Sequence, residues 1–179
     1  MILEYYRVRG DATPPSRVNP SDAGLDVHYS PEDASLAGAY LEPGQSKLFC
    51  TGLKFGVPHG YMLEVKNRSG NASKRSLLVG ACVIDAGYDG EVFVNLHNVG
   101  TETQFIQKGM KIAQIVMVPI VHFRALETQE DNLYQWYPIS MSDRGPRSLG
   151  SSDTADEQSV DPFSLPSMWE LGDPLATTK

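Results

Sequence analysis

Short stretches rich in β-branched, aromatic and aliphatic residues recur along the chain, separated by clusters of Gly, Pro, Asn and Asp. Ile2–Arg7, Ser46–Val57, Tyr61–Asn67, Leu77–Ile84, Glu91–Val99 and Lys111–Glu127 read as strands. Breaks fall at Glu42–Gly44, Pro58–Gly60, Gly87–Gly90 and Asn98–Gly100. Lys111–Glu127 is long for one strand, and Pro119, which cannot donate to a ladder, is expected to end or bend it. Only Asn71–Ser76 has room for a helix, a turn or two long. No internal repeat or heptad pattern interrupts the alternation. Many short strands at close spacing predict an all-β sandwich, barrel or jelly roll.

Composition narrows the function classes. The 179 residues suit one domain with a buried core plus an appendage. The formal net charge of -7 excludes a broad basic surface for duplex nucleic acid. No apolar run approaches the roughly 18–20 residues of a membrane span, so no membrane partner is expected. The first residues, MILEYYRVRGDATPP, lack the basic and apolar regions of a signal peptide, which predicts an intracellular, cytoplasmic protein. Cys50 and Cys82 are expected as buried, reduced thiols. Residues 151–179 hold six acids and a single lysine among Ser, Thr and Pro, the composition of a segment that need not pack. Its Phe163, Leu165, Met168, Trp169 and Leu171 leave a protein partner for residues 154–179 as one option beside a plain solubilising tail. Arg9-Gly10-Asp11 and the sequons at Asn67 and Asn71 have no context in such a protein, and His28, His59, His97 and His122 show no zinc-type spacing.

Five segments carry chemistry. Ser21-Asp22-Ala23-Gly24-Leu25-Asp26 comes first. Asn67-Arg68-Ser69-Gly70 offers a guanidinium fork, a hydroxyl and backbone N–H groups suited to phosphate oxygens. Val83-Ile84-Asp85-Ala86-Gly87-Tyr88-Asp89-Gly90 places a carboxylate at the end of an apolar strand, where it could act as general base for water, with an aromatic three residues on. Gly109-Met110-Lys111-Ile112-Ala113-Gln114-Ile115 holds one amide among apolar neighbours. Asp143-Arg144-Gly145-Pro146-Arg147-Ser148-Leu149-Gly150-Ser151-Ser152 is a glycine- and serine-bearing arm with two arginines.

In order and spacing these five segments resemble the trimeric deoxyuridine triphosphatase (dUTPase) family, from about Leu3 to Ser152. The resemblance implies a β jelly roll with one short helix, assembled as a homotrimer whose sites draw on several subunits. It divides the chain into a β domain at 1–142, an arm at 143–153 and the acidic tail at 154–179. It implies Asp85 as the carboxylate that activates water for attack on the α-phosphate, and Tyr88 as the ring packed on the deoxyribose. Arg68, Ser69, Gly70 and Gln114 match phosphate-contacting positions, Arg144 the arm arginine, and Asp26 a supporting acid. Val79 and Ile84 fall in the base-reading strand, and Leu149, Gly150 and Ser151 in the closing arm. Magnesium is expected as cofactor, held by triphosphate and water with no direct protein ligand.

The departures concern the base. Val79 stands where the family usually carries an Asn that reads uracil, Leu149 where an aromatic stacks on it, and Cys82 and Asp89 replace a glycine and a basic residue. The related dCTP deaminases need a Glu and an Arg where this chain has Asn95 and Ser73, so deamination is not expected. The expected activity is hydrolysis of dUTP to dUMP and pyrophosphate. The alternatives are the same reaction on dCTP or a modified pyrimidine deoxynucleotide, and a non-catalytic nucleotide- or protein-binding module.

Overall fold

The computed structural model describes residues 1–133. Eleven strands and one α-helix occupy Met1–Arg124: β1 Glu4–Arg7, β2 Leu25–His28, β3 Gly38–Leu41, β4 Ser46–Cys50, β5 Leu53–Gly56, β6 Tyr61–Lys66, α1 Ser69–Arg75, β7 Leu77–Val79, β8 Val83–Ile84, β9 Phe93–Asn98, β10 Gln104–Gln107 and β11 Lys111–Pro119. All pairings are antiparallel. They form a four-stranded sheet β2-β11-β6-β8, a three-stranded sheet β4-β9-β7, and two pairs, β1-β5 and β10-β3. The result is the expected all-β jelly roll. The second unit begins at Ala125, and its described part holds one 3₁₀ turn, Glu130–Asn132.

Alternation builds the core. Along β9, Val94, Leu96 and Asn98 are buried while Phe93, Asn95 and His97 are more exposed. They meet Leu41, Phe49, Leu53, Leu63, Leu77 and Ile106, each at most 1 % exposed. In β11 the register shifts between Lys111 and Ala113, so Ile112 and Ala113 both face inward, as an extra residue in a strand allows. The one fully buried amide in this core, Asn98, donates to the carbonyls of Leu41 and Glu102 and accepts from Gly100 N–H.

Two expected strands divide. Ser46–Val57 splits into β4 and β5 at Thr51-Gly52, where Gly52 has φ +71. The buried Thr51 hydroxyl donates to the Val92 carbonyl across this corner. Leu77–Ile84 splits into β7 and β8, which belong to different sheets. The turn between them, at Gly80–Cys82, carries the chain from one layer to the other. β2, β3 and β10, four residues each, lie outside the stretches read as strands from the sequence. β11 ends at Pro119, as its missing N–H requires. The helix starts two residues earlier than expected and stops at Ser76, whose φ of 52 closes it. Cys50 and Cys82 are free thiols but half-buried rather than buried. His59 and His122, far apart in sequence, stack their rings with centroids 4.9 Å apart. Among the described residues no helix is long and apolar enough to cross a membrane.

Candidate active site

Among the described residues, the predicted ones apart from Val79 gather in two places. In the first, β11 lies between β2 and β6, with Gln114 paired to Asp26 on one side and to Lys66 on the other. That register brings three of the five segments to one end of the sheet. Gln114 Nε2 donates to the Asn67 carbonyl at 2.9 Å, fixing the turn that leads into α1. A Cβ on Gly24 would sit 2.7 Å from Gln114 Oε1, so glycine is what lets β2 approach this closely. Ser69 and Gly70 open the helix with no side-chain cap on its first N–H groups. The pocket here has a volume of about 410 Å³, and its lining includes Asp26, Arg68, Ser69, Gly70 and Gln114.

Asp26 holds two cations. Its Oδ1 accepts from Arg68 Nε at 2.8 Å and its Oδ2 from Lys111 Nζ at 2.7 Å. Burial alone would raise this carboxyl's pKa, but the bonds from Lys111 and Arg68 outweigh it and hold Asp26 below the usual carboxylate range. Asp26 therefore stays ionised and orients the Arg68 fork. Its neighbour His28 is buried and lies beside Lys111. Burial, with Lys111 and Arg68 adding repulsion, pushes the imidazole pKa down, and its Nδ1 has no partner among the described residues. Sequence reading missed Lys111 as a member of this cluster, although it lies three residues before Gln114.

The second place is the hairpin after β8. Asp85 and Tyr88 close a tight turn, Tyr88 N–H to Asp85 carbonyl at 3.2 Å, with Gly87 at φ +92. Both side chains line a pocket of about 300 Å³ together with Leu48, Val83, Ile84 and Phe93. Tyr88 folds back over Gly90, and its hydroxyl donates to the Glu91 carbonyl at 2.9 Å. Glu91 is itself clamped: Arg9 forks onto both carboxylate oxygens at 2.9 and 2.8 Å, and Gly52 N–H adds 2.7 Å. Arg9 also donates to the Ser30 carbonyl. The pairing with Glu91 raises the Arg9 pKa further. No motif marks this clamp, because its members lie 82 positions apart in sequence.

The β7–β8 segment has much of its backbone already engaged. Val79 N–H donates to Asn67 Oδ1 at 2.7 Å and Gly80 N–H to the Asn95 carbonyl. β8 lies at the edge of its sheet, paired only with β6. Since Cys82 faces Val65 through a ladder bond, Ile84 faces Leu63 likewise and the backbone groups of Val83 point to the free edge. Val83, not Val79, therefore presents open backbone groups beside the second pocket.

The two places are apart within one chain. Asp85 follows Ile84, which pairs with Leu63, while Arg68 lies beyond the far end of β6. Met62 to Lys66 alone is about 13 Å of strand, and no residue lines both pockets. Arg144, Leu149, Gly150, Ser151, the boundaries at 142 and 153 and the tail at 154–179 lie outside the described residues. Among the described residues no three His, Cys, Asp or Glu side chains cluster as a metal site, and the acid nearest the phosphate-type turn already serves two cations. With both Asp26 oxygens taken by Arg68 and Lys111, a magnesium ion brought to this pocket would draw its ligands from a polyphosphate and water.

These features define the class: an antiparallel jelly roll with an anion-suited pocket at one end of a strand and a carboxylate–tyrosine pocket at the other. The family model for dUTPase matches residues 11–152, and the chain belongs to that family. The deoxyuridine 5'-triphosphate nucleotidohydrolase of Chlamydia trachomatis is 42% identical over 91 residues, covering 50% of this chain and 63% of the relative. This chain thus spans less than two thirds of that relative's length. The Nautilia profundicola enzyme of the same name is 32% identical over 154 residues, covering 85% of this chain and 99% of the relative. The dUTPase of phage phi11 of S. aureus, as a D95N mutant described with a coordinated structural Mg(II) ion, superposes with a TM-score of 0.65 at 26% identity, covering 73% and 98% of the two chains. The Staphylococcus bacteriophage 80alpha dUTPase G164S mutant with dUpNHpp gives 0.67 at 28% identity, covering 84% and 98%.

Proposed function

We propose that this protein hydrolyses dUTP to dUMP and pyrophosphate. The observation that carries the reading is the Asp85–Tyr88 hairpin, a carboxylate and an aromatic ring fixed together on one pocket in a chain of this family. Asp85 takes a proton from water as the water oxygen bonds to the α-phosphorus. The bond from that phosphorus to the α–β bridging oxygen breaks, and pyrophosphate leaves with the bridging oxygen. Arg68, Ser69, Gly70 and Gln114 bind the phosphates, and Arg144 reaches them from the arm. Magnesium carried by the triphosphate supplies charge neutralisation at the leaving phosphates. Tyr88 packs on the deoxyribose, leaving no room for a 2′-hydroxyl.

The separation along β6 supports a site shared between copies, as the homotrimer implied by the family resemblance would provide. One α-phosphorus cannot lie beside Asp85 and Arg68 of the same chain, whereas a symmetric ring can oppose one copy's hairpin to the next copy's phosphate pocket. A second reading, the same cleavage on dCTP or a modified pyrimidine nucleotide, draws on Val79, whose side chain offers no polar contact and whose N–H is already used. Turnover of dUTP, dCTP, dTTP and UTP, with and without magnesium, decides between them. Pyrophosphate release fastest from dUTP is the expected result. Fastest release from dCTP favours the second reading, and none from any nucleotide means a binding module.

A further inference from the structure

The phosphate-type pocket contains a cation that the sequence motifs do not single out. Arg17 lines it beside Ser16, Asp26, Arg68, Ser69 and Gln114. Arg68 and Lys111 both spend a hydrogen bond on Asp26, whereas Arg17 makes no ion pair among the described residues. Its one hydrogen bond among them runs from Nε to the Gly24 carbonyl at 3.4 Å, the long limit of such contacts. The pocket's other acid, Asp22, is turned toward Asn19, accepting from its backbone N–H at 2.9 Å. Meanwhile the backbone next to Arg17 is fixed, since Ser16 exchanges two bonds with Asp26, at 3.1 and 2.6 Å. A guanidinium held at the root, uncommitted at its Nη ends and open to a polar pocket is suited to fork onto phosphate oxygens.

We propose that Arg17 binds the pyrophosphate portion of the nucleotide, and so helps the protein distinguish a triphosphate from shorter phosphate chains. The assignment rests on the dUTP reading above. In it the α-phosphorus sits at the hairpin's carboxylate, so the phosphates not attacked occupy the cation pocket.

Isothermal titration of the full chain with pyrophosphate and magnesium, and separately with dUMP, tests this for the parent, Arg17→Ala and Arg17→Lys. Loss of one charge-assisted contact should weaken pyrophosphate binding about tenfold or more in Arg17→Ala. Arg17→Lys should recover part of it, keeping charge without the fork, and dUMP affinity should stay level across the three. Equal pyrophosphate affinity in Arg17→Ala overturns the inference, as does a parent that binds no pyrophosphate. A parallel loss of dUMP binding overturns it too, since the effect would then be on the fold. A parent that binds pyrophosphate through Arg17 yet turns over no dUTP keeps this inference and removes the dUTP reading.

Discussion

Asp26 and His28 lie two residues apart on β2 and respond to acid in the same direction. Each has a pKa depressed in the folded chain, Asp26 by its two cations and His28 chiefly by burial. A depressed group binds fewer protons folded than unfolded, so stability rises with pH through its range. His28's contribution is present above its unfolded value of about 6.5 and is lost as pH falls below it; Asp26's is lost below about 4. Thermal midpoints should therefore fall as pH drops from 7 to 5, and His28→Gln should flatten that slope while leaving the acid limb below 4 in place. An unchanged slope in His28→Gln would assign the loss to another group.

At the scale of elements, the hairpin after β8 takes its shape from a remote strand connection. Arg9, just past β1, reaches Glu91, just before β9, and the Glu91 carbonyl in turn holds the Tyr88 hydroxyl. Both side chains of the pair keep some solvent, at 19% and 11% exposure. Arg9→Met should therefore cost about 2–3 kcal/mol, somewhat below the roughly 3–5 of a fully buried pair, read from the denaturant midpoint. It should also narrow the preference for dUTP over UTP, because Tyr88 loses its support. A lost stability with an intact sugar preference would confine the clamp to folding. What the sequence displayed at this scale was unequal. β6, β9 and β11 were legible because each is six residues or longer and alternates or runs apolar. Breaks within apolar runs were not, since Thr51-Gly52 and Gly80–Cys82 change layers without a proline or a polar cluster. Arg68, Asp85 and Gln114 were visible as motifs, being fixed by local spacing. Arg9 and Lys111 stood in quoted segments, but their roles did not show, because the fold brings their partners from elsewhere in the chain.

For the whole molecule, the distance along β6 makes a sharp expectation. Asp85→Asn and Arg68→Ala should each be nearly inactive, the first by about 10²–10⁴ in turnover. Unfolded together and reassembled in equal amounts, the two should regain about a quarter of the parental sites, because a site needs an intact hairpin from one copy and an intact turn from another. No recovery on mixing would place both pockets' work within a single chain. The same arrangement separates folding from chemistry. Each jelly roll closes its own core, with Leu63 of β6 buried within it, while in the assembly proposed above the reaction would belong to a meeting of copies. Any molecule that occupied the face between neighbours would silence hydrolysis without touching a reacting atom or loosening a single strand. Dilution to the point where the copies part would do the same, leaving well-folded chains without a complete site.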